Sequence, residues 1–169
     1  MIVTHTKISS IADGGDTSLV RASDWNANHT IDTGNISGFR AYSTTAQSIP
    51  TTTFTKIQFN VEEYDILSEY DSTNFRFTPQ EAGRYLCNSN VHILLQDAKQ
   101  GVLILYKNSS EYLRGNRILA GSAGGIGLGL SAIVNLTTSN YLEMYIYHTC
   151  TSASPLEQPN IYWDMIKMA

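Results

Sequence analysis

Histidine is the side chain that most readily exchanges a proton or binds a metal ion near neutral pH. The chain contains His5, His29, His92 and His148. None of them is spaced with Cys, Asp or Glu as in a zinc site, and no Gly-x-Ser-x-Gly nucleophile motif occurs. His92 lies in a stretch with strand periodicity, which favours a packed or interface histidine. The sequence therefore predicts no catalytic residue, no metal ligand and no cofactor, and it favours a protein that is not an enzyme.

Carboxylates collect in one short stretch of the chain, made of Glu62, Glu63, Asp65, Glu69 and Asp71. Calcium takes several carboxylate oxygens, so a calcium site is one interpretation and a solvated loop is the other. The stretch lacks the regular spacing of a calcium loop, and no site is assigned to it. A polysaccharide-cleaving enzyme would need a second carboxylate across a groove, and the sequence places no partner for this stretch.

The glycine-rich segment Gly121–Gly129 resembles a phosphate-binding loop only in composition. It lacks the Gly-Lys-Ser/Thr ending of a P-loop, and its spacing misses Gly-x-Gly-x-x-Gly. Its neighbours have strand patterns rather than a strand followed by a helix. We interpret it as a flexible loop that leads into a glycine-rich strand, Gly125–Ala132, and that can contact a partner or another subunit.

The two cysteines, Cys87 and Cys150, are far apart in sequence and have apolar neighbours. Buried free thiols are the favoured interpretation, because a disulfide would require an oxidising compartment. The N-terminus lacks the basic start and apolar run of a signal peptide. No segment is long and apolar enough to span a bilayer. We therefore expect synthesis as a soluble cytoplasmic chain without membrane insertion.

Length and composition restrict the class of protein. The 169 residues suit one domain with a short extension. Only 15% of the residues are charged and the net charge is −4, so the chain lacks the basic face that nucleic-acid binding needs. Ten tyrosines, with many Thr and Ile residues, favour strands over helices. The composition predicts a β-rich protein that does not bind nucleic acid.

From Phe39 onward, apolar and polar residues alternate with the period of two that is typical of β-strands. The stretches with this pattern are 39–43, 54–59, 75–77, 83–93, 102–106, 111–115, 141–148 and 160–168. Val102–Tyr106 is continuously apolar, which predicts a strand buried on both faces. Lys107–Ser110 is predicted to be the turn of a hairpin. Short strands without helices between them predict an all-β sandwich or barrel.

Residues 1–38 have a different character. Their apolar residues are sparse and follow neither a helical nor a strand period. Such a segment cannot build a core of its own. We therefore predict a short, mostly irregular N-terminal arm over residues 1–38 and a folded head over residues 39–169.

Six residues of the head stand at the spacing that marks the complement C1q-like globular domain, a relative of the tumour necrosis factors. They are Phe59, Asp65, Tyr70, Phe77, Gly83 and Tyr85. The most specific part runs from Phe75 to Tyr85 and contains Thr-Pro followed by Ala-Gly-x-Tyr. The family usually has aromatic residues two and four positions after this tyrosine, where the chain has Cys87 and Ser89. The head resembles this family over roughly residues 39–169, with a smaller core at those two positions.

The resemblance implies an all-β, ten-strand jelly-roll sandwich that assembles as a tight homotrimer. Interface centres are rich in aromatic residues, and the chain has more of them than a small core needs. Tyr141, Tyr145 and Tyr147 on one predicted strand, with Tyr162 in the last strand, are the predicted trimer-interface residues. The alternative is that these tyrosines simply half-cover a sheet.

The arm carries a second resemblance. Residues 17–31 resemble a segment near the start of many bacteriophage tail and head-appendage proteins, where it precedes variable β-rich heads. The predicted virion-docking residues are Asp24, Trp25, Asn26 and His29, because a lone Trp on an arm without a core has few uses other than contact with a partner. The expected partners are capsid, connector or tail subunits.

These features together predict a trimeric phage protein of the virion surface, synthesised in the host cytoplasm. We interpret it as a capsid decoration or head-fibre protein, docked by its arm, with the head exposed for binding. The alternative is the receptor-binding tip of a tail fibre, which would recognise a host cell-surface glycan or protein. The first interpretation is favoured because the chain leaves no room for a long fibre shaft. A polysaccharide-degrading enzyme and a soluble cellular ligand are less favoured.

Overall fold

The computed structural model describes residues 2–3, 12, 14–15, 29–30, 36–159 and 161–168. The chain forms two compact units, Met1–Asn35 and Ile36–Ala169. In the first unit, β1 (Ile2–Val3) pairs antiparallel with β2 (His29–Thr30). The predicted docking residues Asp24, Trp25 and Asn26 lie outside the described residues, whereas the backbone of His29 belongs to β2.

In the described residues of the second unit, the only regular secondary structure is the β-strand. The strands are β3 (Gly38–Tyr42), β4 (Ser48–Ile49), β5 (Thr55–Lys56), β6 (Val61–Asp65), β7 (Tyr70–Asp71), β8 (Arg76–Phe77), β9 (Gly83–Leu95), β10 (Gln100–Lys107), β11 (Ser110–Arg114), β12 (Ile118–Leu119), β13 (Gly124–Leu136), β14 (Leu142–His148), β15 (Ser154–Pro155) and β16 (Tyr162–Lys167). Six of these are two-residue segments, which raises the number of strands above the expected ten. Among the described residues there is no helix that could cross a membrane.

Two antiparallel sheets form the sandwich. The five-stranded sheet has the order β13–β9–β16–β3–β6. The seven-stranded sheet has the order β11–β10–β14–β8–β7, with β12 added on β10 and β5 on β14. Neighbours such as β9–β16 and β10–β14 are distant in sequence, so the chain crosses repeatedly between sheets as a jelly roll does. The predicted all-β jelly-roll sandwich is confirmed.

The core lies between the two sheets and follows the alternation of the long strands. On β9, the side chains of Tyr85, Cys87, Val91, Ile93 and Leu95 are buried, while the intervening residues face outward. Trp163 of β16 stands at the centre of the core. Its ring meets that of Phe39 edge-on, with 5.0 Å between the centroids, and its Nε1 donates to Cys87 Sγ at 3.4 Å. Alternating burial therefore fixes which face of the sheet is the core.

Strand β10 is buried on both faces, as its continuous apolar run predicts. Leu103 and Leu105 belong to the core cluster, whereas Val102 and Ile104 point the other way and are 1% and 0% exposed. The turn after β10 is also confirmed: Lys107 pairs with Ser110. The two residues between them have positive φ angles of 53° and 63°, which is the geometry of a two-residue type I′ hairpin.

Part of the acidic stretch is a strand, so the solvated-loop interpretation is wrong for its first half. Val61–Asp65 forms β6, the edge strand beside β3. Glu62 and Glu63 are exposed there. An edge strand tolerates charged residues, since they face solvent and hinder pairing with another chain. Strand pairing with a neighbour distant in sequence outweighs the weak strand preference of these residues.

The loop that follows β11 crosses the open edge of β13 at Gly115. The Gly115 amide donates to Leu103 O at 2.8 Å. A Cβ atom added to Gly115 would lie only 2.5 Å from Gly129 O and 3.4 Å from Leu103 O. Both neighbours are backbone atoms, so neither can move aside without disturbing a strand. Gly115 thus allows the loop to pack directly against β13.

Gly115→Ala is expected to lower the free energy of unfolding by about 1–3 kcal/mol, because the added methyl group overlaps backbone. Gly121→Ala is the matched control, since a Cβ there would have nothing within 4 Å. Urea denaturation of both variants checks this. Equal midpoints for the two variants would show that the close approach at Gly115 is not structurally important.

Candidate functional site

The predicted trimer-interface tyrosines lie on opposite faces of the sandwich. Tyr145 and Tyr147 project outward from β14, with Tyr141 just before it, on the seven-stranded sheet. Tyr162 projects outward from β16 on the five-stranded sheet. The structure therefore places these four residues on two separate surfaces of the sandwich.

The first surface, which we name the tyrosine face, is the outward side of the seven-stranded sheet. It is formed by Phe54, Tyr106, Tyr112, Tyr141, Tyr145 and Tyr147. The rings of Tyr106 and Tyr145 lie 4.1 Å apart between centroids, and those of Phe54 and Tyr147 lie 4.9 Å apart. Ile104 and Val102 pair across strands with Tyr145 and Tyr147 and are buried on this side. On this side of the sheet, aromatic rings therefore cover parts of β10, β14 and the segment before β5.

Cationic side chains lie over the rings of the tyrosine face. The Arg76 guanidinium carbon is 3.8 Å from the centroid of Tyr141. The Arg114 guanidinium carbon lies 5.6 Å from the centroid of Phe54. Lys107 Nζ is 5.3 Å from the centroid of Tyr112, but it donates to Asn135 O of β13 and so lies at the edge of the sandwich. These are cation–π distances. The face therefore combines aromatic surface with positive charge.

The base of the tyrosine face holds one buried carboxylate, Glu143, which is 1% exposed. Its Oε1 accepts from Lys56 Nζ at 2.8 Å, Arg76 Nη2 at 2.8 Å and Arg76 Nε at 3.0 Å. Burial raises the pKa of Glu143, but the hydrogen bonds and charges of Lys56 and Arg76 outweigh it and hold this pKa below its ordinary value. Glu143 is thus an ionised anchor that fixes both cations.

Sequence reasoning found half of this face. Phe54, Tyr106 and Tyr112 lie on other segments than β14. The contacts of Phe54 with Tyr147 and of Tyr106 with Tyr145 are visible only in the folded chain. One available signal was Tyr106, which ends an apolar run predicted to be buried on both faces. A tyrosine at the end of such a run indicates that large side chains also cover the outward face of the strand.

The second surface, which we name the glycine face, is the outward side of the five-stranded sheet. Gly125, Gly127 and Gly129 of β13 pair with Leu94, His92 and Asn90 of β9. A Cβ added to Gly127 would lie 3.1 Å from His92 Nε2, so neighbouring side chains occupy the space above the glycines. The predicted glycine-rich strand is present, and it is longer than expected because β13 continues to Leu136.

An apolar row crosses one end of the glycine face. Ile133 pairs with Leu86, and Leu86 pairs with Ile166. Ile133 is 59% exposed and Ile166 is 44% exposed. Beside this row runs a polar groove of about 650 Å³, whose lining includes Asn88, Asn90, Ser131, Tyr162, Asp164 and the Arg114–Asn116 loop. The glycine face thus exposes both aliphatic and polar groups.

An ionic cluster lies across the middle of the glycine face. Arg40 Nε is 2.9 Å from Glu63 Oε2, and Arg40 Nη1 is 3.4 Å from Asp164 Oδ1. Neither Arg40 Nε nor Asp164 Oδ1 reaches hydrogen-bond geometry with a described residue, although both atoms are buried. Burial raises the pKa of Asp164, and the charge of Arg40 offsets this only in part. Among the described residues, these two atoms have no aligned hydrogen-bond partner.

The family-signature residues have structural roles. Phe59, Tyr70, Phe77 and Tyr85 are buried in the core, and Gly83 begins β9. Asp65 accepts the backbone amides of Glu69 and Tyr70 at 3.0 and 2.8 Å. Tyr70 in turn donates its hydroxyl to Phe59 O at 2.8 Å. The signature therefore describes a packed loop and its core contacts rather than a reactive site.

A buried polar network joins the start of the head to this loop. Ser37 Oγ donates to the Glu69 carboxylate at 2.7 Å and lies 2.6 Å from the Tyr85 hydroxyl. The Gln80 amide also donates to Glu69, at 2.6 Å. Ser37 and Glu69 are 0% and 4% exposed. This explains why the second unit includes Ile36 and Ser37, ahead of the boundary expected at Phe39.

The acidic stretch does not converge on one point. Asp65 and Glu69 bond to backbone and Ser37, and Asp71 accepts the amides of Thr73 and Asn74 at 2.9 Å. The hydrogen bonds from Asn74 lower the pKa of Asp71. Over the described residues, no group of three or more His, Cys, Asp or Glu side chains is placed to hold a metal ion.

The groups with reactive potential are engaged in packing. His148 is buried, with Nε2 donating to Ile49 O at 2.9 Å and Nδ1 accepting the Cys150 amide at 3.1 Å. Burial raises the pKa of the Cys87 thiol to about 12. Both cysteines are buried and unpaired, which confirms the prediction of free thiols. His92 lies beside Gly127 on the glycine face, and His5 lies outside the described residues.

Comparison with known proteins identifies the fold. No protein-family model matches the sequence, and no curated protein matches it in sequence. The structure is similar to the Eiger TNF of S. frugiperda (TM-score 0.63, 12% identity, covering 80% of this chain and 94% of that one). It is also similar to the globular domain of zebrafish complement 1qA (0.59, 10%, 79% and 98%) and to murine APRIL (0.59, 13%, 79% and 99%). The head therefore has a C1q/TNF-like jelly-roll fold.

Glu143→Gln is expected to lower the free energy of unfolding at neutral pH by about 1.5–3 kcal/mol, because two cations lose their charged acceptor. Since the folded-state pKa of Glu143 is lowered, its stabilisation is present above the ordinary glutamate pKa and is lost as pH falls through the lowered value. The difference in free energy of unfolding between wild type and variant should therefore disappear in acid. Urea titrations across this pH range check it.

Glu111→Gln is the matched control for this experiment. It breaks an exposed ion pair with Arg114, which is expected to contribute at most about 1 kcal/mol. If Glu143→Gln lowers the free energy of unfolding as little as the control does, or equally at every pH, the anchoring role of Glu143 is contradicted.

Proposed function

We propose that the chain is a non-enzymatic, self-associating head of a phage-like virion: a trimeric decoration or head-fibre protein, docked by residues 1–38 and exposing its jelly roll for binding. The observation that carries this proposal is the uncovered glycine face. The C1q/TNF-like fold agrees with a trimer, as the resemblance implies. The phage context has its support in the sequence of residues 17–31.

A second copy of the chain suits the glycine face for three physical reasons. Ile133 and Ile166 expose aliphatic surface that association would remove from water. At Gly129 an added Cβ would meet nothing nearer than 4.0 Å, so a neighbouring backbone can approach closely there. The side chains of Arg40 and Glu63 are 35% and 58% exposed on this face, so a partner can add charged hydrogen bonds to them.

The trimer-interface residues are accordingly reassigned in this proposal. Tyr162 lies on the glycine face beside Asp164 and Arg40, whose guanidinium carbon is 4.6 Å from the Tyr162 centroid. Tyr141, Tyr145 and Tyr147 lie on the opposite face, which points away from a threefold axis that runs along the glycine face. A trimer built in this way exposes three tyrosine faces.

The non-enzymatic part of the proposal is supported by how the candidate acids, bases and nucleophiles are used. Glu69 and Glu143 are bonded within the fold. His148 bonds the backbone through both ring nitrogens, and the raised pKa of Cys87 keeps its thiol protonated. Catalysis requires such groups to be free to contact a substrate, whereas here they stabilise the sandwich.

Docking through the arm is a separate part of the proposal. Asp24, Trp25, Asn26 and His29 are its candidate contacts, because this segment resembles the start of phage appendage proteins. The receptor-binding tip of a tail fibre is the second candidate function. It is favoured by the tyrosine face, whose half-exposed rings and cations form a surface suited to a ligand.

Self-association is tested by light scattering after gel filtration. We expect the full chain to have about three times its 18.7 kDa mass, and Ile133→Asp to yield a folded monomer because a charge would be buried in the interface. Leu119→Asp is the matched control: Leu119 is 60% exposed but lies on β12, and this variant should remain trimeric. A monomeric wild type, or a trimeric Ile133→Asp, would overturn the assignment.

Docking is tested by immunogold labelling of virions that carry the full chain or its Trp25→Ala variant. Label on the capsid surface supports a decoration protein, and label at the tail end supports a receptor-binding tip. Trp25→Ala should reduce the label at least about tenfold, as expected for an aromatic anchor, while the trimer mass stays the same. Undiminished label on the variant would refute the role of Trp25.

A further inference from the structure

The tyrosine face has properties that neither the core nor self-association through the glycine face explains. Phe54 and Tyr112 are 41% and 48% exposed. Tyr106, Tyr145 and Tyr147 are half-buried, with their rings above the outward-facing Ile104 and Val102. The ring pairs Tyr106–Tyr145 and Phe54–Tyr147 give the outward side of this sheet an aromatic platform.

The charge of this face differs from that of the whole protein. Three cations, Lys56, Arg76 and Arg114, accompany two carboxylates, Glu111 and Glu143. The face therefore has an excess of positive charge on a chain whose net charge is −4. Glu143 lies beneath the cations and is 1% exposed, so a ligand at the surface meets mainly the positive groups. This charge favours an anionic ligand.

We propose that the tyrosine face binds an acidic polysaccharide, with uronic-acid-type sugar rings stacked on the aromatic platform and their carboxylates paired with the cations. This inference rests on the proposed function, because it requires a head that is exposed for binding. The C–H faces of a pyranose ring are apolar and match an aromatic ring, whose tyrosine hydroxyl supplies a polar tip. Arg side chains match carboxylates through paired hydrogen bonds.

The arrangement also fits a linear polymer rather than a single sugar. The tilted ring pairs Tyr106–Tyr145 and Phe54–Tyr147 lie on the same side of the sheet. Arg76 lies over the ring of Tyr141, and Arg114 lies beside that of Phe54. A chain of acidic sugars laid across this face meets rings and cations in turn. Three such faces on one trimer raise the apparent affinity of weak contacts.

Two other classes of partner fit the face less well. Single-stranded nucleic acid stacks on aromatic residues and needs a positively charged groove along its backbone, whereas here two carboxylates accompany the three cations. A second copy of the chain already has its place on the glycine face in the proposed trimer. Both remain measurable outcomes of the test.

The test measures binding of the full-length trimer to oligogalacturonate by isothermal titration calorimetry, with neutral dextran of similar length and oligo-dT as comparison ligands. We expect oligogalacturonate to bind, dextran not to bind, and added salt to weaken the interaction. The double variant Phe54→Ala/Tyr112→Ala should weaken binding by about tenfold or more, since exposed aromatic anchors dominate such contacts. Tyr64→Ala, a tyrosine 43% exposed on β6 of the other sheet, should bind within about twofold of wild type.

The outcomes separate this inference from the proposed function. A trimer that does not bind oligogalacturonate, or that binds dextran equally, overturns the ligand assignment and leaves the trimer intact. If oligo-dT binds equally well, the tyrosine face binds polyanions in general rather than an acidic polysaccharide. Loss of the trimer in Phe54→Ala/Tyr112→Ala assigns the tyrosine face to subunit contact, and shortened sugar chains after incubation would show an enzyme.

Discussion

The pairing of β9 with β13 is the constraint on which the rest of the head depends. Gly83–Leu95 and Gly124–Leu136 match residue for residue without a bulge. A shift of one residue would turn every side chain of a strand to the other face. This register places Tyr85, Cys87 and Val91 toward the core, and it aligns the glycines of β13 beneath the outward side chains of β9. Core and outer surface are therefore set together.

Because each strand has two sides, the sandwich separates two kinds of surface. The glycine face combines small residues, exposed aliphatic residues and a partly exposed ionic cluster, which suits close contact with another polypeptide. The tyrosine face carries rings and cations that are already held by one another and by Glu143, which suits a surface kept in place for a ligand. Assembly through one face leaves the other accessible, so both functions are compatible in one small head.

Buried polar contacts position the segments that hydrophobic packing alone would leave undefined. Ser37, Glu69 and Tyr85 connect the start of the head, the loop after β6 and the start of strand β9. Lys56, Arg76 and Glu143 connect β5, β8 and β14 in the same way. Groups buried at such sites are costly when they lose a partner. Each network therefore fixes the conformation of chain segments that are distant in sequence.

The residue pattern was sufficient for the all-β class, the doubly buried strand β10, the hairpin at Lys107–Ser110 and the burial of both cysteines. These features follow from local periodicity and turn chemistry, which act over a few residues. It was not sufficient for β6, whose acidic sequence becomes a strand only because β3 offers an edge. Nor could it show that Tyr162 lies on the opposite side of the sandwich from Tyr145. Which side chains share a surface depends on pairing between strands that can be more than a hundred residues apart, as β3 and β16 are. That information is present only in the folded chain.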